Sequence, residues 1–155
     1  MPSPEFDSDT LRVADAADAQ PRTVSGIRAG AGPKPHPERS GSRLASPGQP
    51  NVYVVDPAGY RRRIANHSTY DRLFRDWRGI VDARDLESVA ERPPLTSGSL
   101  LVRGDASARI YLLDEGRKRL IPSDAVMDKY WFNWGRICVV RQILIDHVPT
   151  GDVWD

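Results

Sequence analysis

A single cysteine, Cys138, rules out an internal disulfide, and three scattered histidines leave little from which to build a metal site. No run of about 18 apolar residues occurs, so no transmembrane helix is expected. The N-terminus has neither the basic segment nor the apolar segment of a Sec signal peptide. The expectation is therefore a cytoplasmic protein, or one exported as part of an assembly. Charge of one sign is missing too: 22 basic and 21 acidic side chains leave a net charge of +1. Nucleic-acid binders draw much of their affinity from phosphate neutralisation, so this balance argues against such a partner. Also missing are a P-loop, a Rossmann glycine pattern, a nucleophile elbow and paired catalytic carboxylates.

What is present is the balance of a globular chain, with 39% apolar and 28% charged residues among 155. Residues 1–40 differ from the rest, being rich in Pro, Gly, Ala, Ser and Asp. The stretch Gly30-Ala31-Gly32-Pro33-Lys34-Pro35-His36-Pro37 lacks donors at its prolines and gains backbone entropy at its glycines. A disordered arm is expected over 1–40, with one frayed helical turn from Asp9 to Ala17.

Beyond the arm the chain repeats itself. A shift of 57 places Gly41, Ser42 and Leu44 on Gly98, Ser99 and Leu101. With one residue inserted, Tyr53 and Asp56 fall on Tyr111 and Asp114. The shift of 57 then resumes, so that Gly59, Arg62, Ile64, Asp71, Trp77, Ile80 and Arg84 meet Gly116, Arg119, Ile121, Asp128, Trp134, Ile137 and Arg141. Two tandem 57-residue units follow, 41–97 and 98–155, expected to fold as one cooperative domain.

Each unit reads the same way. Val52–Val55 and Ile110–Leu113 carry the branched and aromatic residues that suit a pleated surface. Asp56-Pro57-Ala58-Gly59 and Asp114-Glu115-Gly116 are turns, with glycine available for positive φ. Tyr60–Ile64 and Arg117–Ile121 are the next strands. Asn66 and Ser123 are helix N-caps, and short helices run to about Trp77 and Trp134. The expected fold is α+β: an antiparallel β-meander with short helices in each unit.

The second unit also carries a recognisable pattern: Gly98 to Gly104, Ile110 to Pro122, Trp134, Val139 and Pro149 to Gly151. It resembles a tandem repeat of bacterial surface-associated and secreted proteins of unknown function. The resemblance covers both units and implies no catalytic or ligand residues. The first unit departs from it, with Ala65 where the second has Pro122. The excess of 19 arginines over three lysines matches a GC-rich coding sequence.

Candidate chemistry is sparse. No catalytic, cofactor-binding or metal-ligating set emerges. Cys138 lies in the apolar run Ile137-Cys138-Val139-Val140, which reads as a small core residue; a Cys138/His147 nucleophile pair is the alternative. Arg103-Gly104-Asp105 matches the integrin tripeptide, but the first unit has Ser46-Pro47-Gly48 there. Strand alternation sets Arg62 and Arg119 on the faces of Ile64 and Ile121, where a guanidinium needs a partner. Asp71 and Asp128 recur with them, so the pairs Arg62–Asp71 and Arg119–Asp128 are expected. Arg61, Arg63 and Arg117 are candidates for phosphate or acidic glycans.

The duplication supplies its own control for an interface. Arg43, Arg63, Arg75, Asp82, Glu87 and Glu91 align with Leu100, Leu120, Phe132, Val139, Leu144 and Val148. Six apolar residues where the sister unit tolerates charge suggest a covered face: the seam between units, a second chain or an assembly partner. The leading functional expectation is a non-enzymatic interaction module for a protein partner, itself or a surface glycan. The alternatives are a structural or adaptor subunit of a larger, phage-like or secreted assembly, its arm contacting neighbours, and a small enzyme of unrecognised type.

Overall fold

Asp56 shows how local chemistry sets the first hairpin. Its side chain accepts hydrogen bonds from the Ala58 and Tyr60 amides at 3.1 and 2.9 Å, and Gly59 turns the chain at φ 93°. The Gly59 hydrogen is obligatory, because a Cβ there would come within 2.3 Å of the Pro37 nitrogen. The matching hairpin is one residue shorter: Asp114 pairs directly with Arg117 across Glu115 and Gly116, both at positive φ.

In a computed structural model, which describes residues 32–155, the compact unit Lys34–Asp155 contains two mixed sheets and a few short helices, an α+β arrangement. Strands β1 (Arg43–Ala45), β2 (Val52–Val55) and β3 (Arg61–Ile64) lead to helix α1 (His67–Leu73), then to β4 (Val81–Asp82) and β5 (Glu91–Leu95). Strands β6 (Leu101–Gly104), β7 (Ile110–Asp114) and β8 (Arg117–Ile121) lead to α2 (Asp124–Lys129), β9 (Cys138–Val140) and α3 (Gln142–Asp146). Asn66 and Ser123 cap α1 and α2 by accepting from the Thr69 and Val126 amides.

The sheets run β4-β1-β2-β3-β5 and β8-β7-β6-β9. Their centres are antiparallel meanders, but the flanking strands are not, which corrects the expectation of wholly antiparallel units. β4 lies parallel to β1, β5 parallel to β3, and β9 parallel to β6. Thr150 forms a parallel bridge to Lys118 on β8, the counterpart of β5 beside β3. The cause is the helical crossover, which returns each chain end to the sheet in its original direction. Pairing also moves the one-residue insertion. Leu44 lies opposite Tyr53 and Val102 opposite Tyr111, so Arg43 corresponds to Leu101 rather than Leu100.

The arm expectation divides. Residues 1–31 lie outside the described residues, but Lys34–Ser40 pack on the first sheet. Lys34 bridges Val89, the His36 amide donates to Gly59 at 2.8 Å, and Ser40 Oγ donates to the Asp56 carbonyl at 2.7 Å. Proline removes donors only at its own positions; the amides between prolines still pair along a sheet edge.

The principal core draws on both halves. Val54, Ile64, Tyr70, Leu73, Phe74 and Leu95 pack with Leu101, Leu112, Ile121, Met127, Tyr130, Phe132 and Trp154. Alternation sends Tyr53 and Val55 to the opposite face, where Leu44, Ala83 and Leu86 form a second cluster. The halves also join through backbone: Phe74 pairs antiparallel with Phe132, the Arg75 amide donates to Trp131, and the Asn133 amide donates to Leu73.

Candidate functional site

Between β2, β3 and α1 lies a cleft of about 200 Å³. Its bed is apolar, from Val52, Ile64, Ala65 and Pro50, and its wall is formed by His67, Tyr70 and Trp77, with Asn51 and Asn66 at the rim. Trp77 is 42% exposed yet held from three sides. Its ring stacks on Tyr70 at 3.8 Å and 19°, His67 meets it edge-on at 4.9 Å, and its Nε1 donates to Asp71 at 3.1 Å.

Tyr70 is fixed in turn. Arg43 donates to its hydroxyl at 2.6 Å, and that hydroxyl donates to the Asp76 carbonyl. Burial raises the Tyr70 pKa and Arg43 partly opposes the rise, so the phenol stays neutral. Arg43 is buried because it bonds the loop after α1, at the Asp76 and Arg78 carbonyls. Asp76 closes the circuit: the Arg78 amide and the Trp131 indole, donating at 2.9 and 3.0 Å, hold its carboxyl below the usual range. The cleft is thus an aromatic surface fixed by the fold rather than a loose loop. The equivalent place in the second half is a cleft lined by Ile110, Leu120, Ile121, Pro122, Ser123 and Asp124, with Ser107, Ala108 and Arg109, and no aromatic ring.

The expected ion pairs form elsewhere. Arg62 is buried, but its partner is Asp114, across the seam, at 3.1 and 2.6 Å. Arg119 binds the same Asp114 at 3.1 Å. Asp56 sits 3.5 Å from Arg62, and Trp154 lies beneath both guanidiniums. Asp71 instead accepts from Trp77, and Asp128 pairs with Arg75 at 2.6 Å. The correction has a simple cause. Both arginines stand on the third strands and reach Asp114, whereas Asp71 and Asp128 are exposed residues of the helices.

The candidate interface also separates. Phe132 is fully buried, 5.5 Å from Phe74 of the first half and 5.5 Å from Tyr130, so it belongs to the seam and not to an outer face. Leu100, Leu120 and Val148 are half-buried. Val139 and Leu144 are 54% and 58% exposed, beside Ile143 at 58%.

Cys138 is exposed on the edge strand β9, contrary to the core reading. The apolar run there is covered only in part: Ile137 packs against the core, while Cys138 and Val139 are exposed. Its sulfur approaches the Arg136 carbonyl, His147 approaches the Ile143 carbonyl, and no hydrogen bond joins the two side chains. Asp105 of the integrin-like tripeptide accepts from the Gln142 amide at the start of α3. Arg61 is buried against the Val89 carbonyl rather than available to a ligand. No group of three His, Cys, Asp or Glu converges among the described residues, and no helix among them is long and apolar enough to cross a membrane.

Comparison with protein-family models, with curated proteins and with solved structures found no match. The site therefore rests on its own geometry. The cleft has one signal in the sequence: Trp77 and Trp134 recur in register.

Proposed function

We propose that this chain is a non-enzymatic interaction module derived from a tandem duplication, and that it recognises a surface glycan or protein partner at the cleft beside Trp77. The duplication is supported by the matching order of strands in the two sheets and by the equivalent roles of Arg62 and Arg119. The single observation that carries the binding reading is Trp77 itself. A large ring held rigidly and left 42% exposed gives a binding surface at low ordering cost. A concave site with an apolar bed and a few polar rim groups is the usual form of a small-ligand site. The resemblance to repeats of bacterial surface-associated proteins fits this role.

The test is an NMR titration of the full chain with candidate partners, following the Trp77 indole resonance. A partner should shift it, and Trp77→Ala should abolish the binding. A partner whose footprint leaves Trp77 untouched contradicts the reading.

The assembly-subunit alternative keeps one observation in its favour: Val139, Ile143 and Leu144 form an exposed apolar strip along an edge strand and its helix. The double variant Val139→Asp and Leu144→Glu should then abolish higher-order assembly in light scattering. Unchanged scattering removes this alternative.

A further inference from the structure

We infer that β9 pairs antiparallel with β9 of a second copy, about a two-fold axis at Val139, and joins the two four-stranded sheets into one. The inference rests on the exposed strip of the assembly reading and names its occupant; the Trp77 cleft takes no part in it.

Backbone direction sets the register. β9 is the last strand of its sheet, so one edge pairs with β6 and the other is open. The Val140 carbonyl accepts from the Asp105 amide at 2.8 Å, which turns the backbone groups of Val140 toward β6. Alternation then turns those of Cys138 the same way, and those of Ile137, Val139 and Arg141 toward the open edge. The segment stays extended at both ends, with φ −69° and ψ 121° at Ile137 and φ −60° and ψ 134° at Arg141. Among the described residues, nothing bonds the Val139 amide and carbonyl, the Ile137 carbonyl or the Arg141 amide. These are the groups that an antiparallel pair centred on Val139 needs. The two Val139 residues exchange N–H and C=O, and each Arg141 amide donates to the Ile137 carbonyl of the other copy.

Side-chain charge fits the same register. Counting outward from Val139 sets Arg136 of one copy opposite Gln142 of the other. Gln142 is bonded to two carboxylates, its amide donating to Asp105 and its side chain to Asp146, both at 2.9 Å. Neither carboxylate has a basic partner among the described residues, and Arg136 has no acidic one. With Arg141 counted, the arginines and aspartates at the contact balance.

The first half shows the same edge closed. Asp82 stands in β4 where β9 has Val139, in register as well as by the shift of 57, because Ala45 pairs with Asp82 and Arg103 with Val139. A charge on an edge strand is a usual block to pairing, and the second half carries valine instead. Directly opposed residues of an antiparallel pair share a face, so two Val139 side chains, each 54% exposed, meet and shield one another.

The experiment measures the mass of the full chain by sedimentation equilibrium from micromolar to millimolar concentration. Wild type should form a dimer. Proline is tolerated where a strand N–H faces outward, so Val139→Pro should keep its Tm and lose the dimer. Arg136→Glu should weaken the dimer by about tenfold, and adding Asp146→Arg should restore it. Cross-linking reads the register. Val140 lies opposite Cys138 of the other copy at a non-hydrogen-bonded pair, where Cα atoms stand about 4.5 Å apart, within reach of a disulfide. Val140→Cys should therefore give a disulfide-linked dimer under mild oxidation, and adding Cys138→Ser should abolish it.

A chain that stays monomeric at millimolar concentration overturns the inference, as does a Val139→Pro variant that dimerises as wild type does. Absence of the Val140→Cys disulfide overturns it too, as does cross-linking that survives Cys138→Ser. The cross-linking pair decides the case on its own if Val139→Pro unfolds. If Val139→Asp with Leu144→Glu abolishes assembly and Val139→Pro does not, strand pairing fails and the strip reading stands.

Discussion

The two halves of this chain build the same strand order from different materials, and the contrast separates what the fold requires from what it merely permits. At one position of the first strand, Arg43 in the first half reaches loop carbonyls and Tyr70, while Leu101 in the second is fully buried apolar core. Beyond the sheet, the first half covers Tyr53 and Val55 with Ala83 and Leu86, whereas the second leaves Ile143 and Val139 in water. The first half also holds the aromatic cleft; its counterpart has no ring. At the seam both halves share an arginine on the third strand aimed at Asp114 and a phenylalanine at the junction. The lesson is that the contact between halves is fixed and the outer faces are free to diverge.

The sharpest way to break this comparison is to charge the seam. Phe132→Arg places an unpaired cation among Phe74, Tyr130 and Trp154, where nothing compensates it. Loss of cooperative unfolding in both halves is expected, read by circular dichroism and calorimetry. A folded variant with near wild-type Tm contradicts the buried seam. The expectation that Phe132 anchors an outside partner fails on the same geometry.

Next in size is Asp114. Asp114→Leu takes from Arg62, which is 1% exposed, its two-pronged partner and leaves it Asp56 at 3.5 Å and Glu115 at 3.1 Å, so the loss should stay below the about 3–5 kcal/mol of a fully unpaired buried charge. A double-mutant cycle with Arg62→Met should show coupling, because the two side chains share two direct hydrogen bonds. Simple additivity contradicts the pairing. The same cycle between Arg62 and Asp71 should show none.

These residues also mark what the sequence made legible. Alternation along the third strands puts Arg62 and Arg119 on the faces of Ile64 and Ile121, and a shift of 57 sets one arginine on the other. It could not show that both reach one aspartate, because that pairing depends on how two sheets close on each other. Asp56 and Asp114 were read as turn residues, which is only half their work. Helix caps at Asn66 and Ser123 were readable because capping is local. The parallel flanking strands were not, since β4 and β9 are too short to declare a direction. Cys138 misled for a related reason: an apolar run at an edge strand looks like a run in a core. Trp77 was visible as a recurring residue, but exposure is a tertiary fact.

A smaller effect sharpens the comparison at alkaline pH. Burial, with the Asp56 and Asp155 charges adding to it, raises the Tyr130 pKa in the folded state. A phenol with a raised folded pKa contributes stability that is fully present below its unfolded value, about 10. That contribution is lost as pH rises from the unfolded value toward the folded one. Tm should therefore fall above about pH 10, and Tyr130→Phe should flatten the fall. Tyr70 is raised in the same direction, so a residual slope persists. An unchanged slope in Tyr130→Phe assigns the loss to other groups.

The central claim is that two halves with divergent surfaces share one core and open as one unit. Native-state hydrogen exchange tests it most directly. The amides of Val54 and Ile64 in the first sheet should exchange through the same global opening as those of Leu101, Leu112 and Ile121 in the second, with equal free energies and equal denaturant dependence. A second sheet whose amides all exchange at a distinctly lower free energy than the first would show two independent folding units and contradict the account.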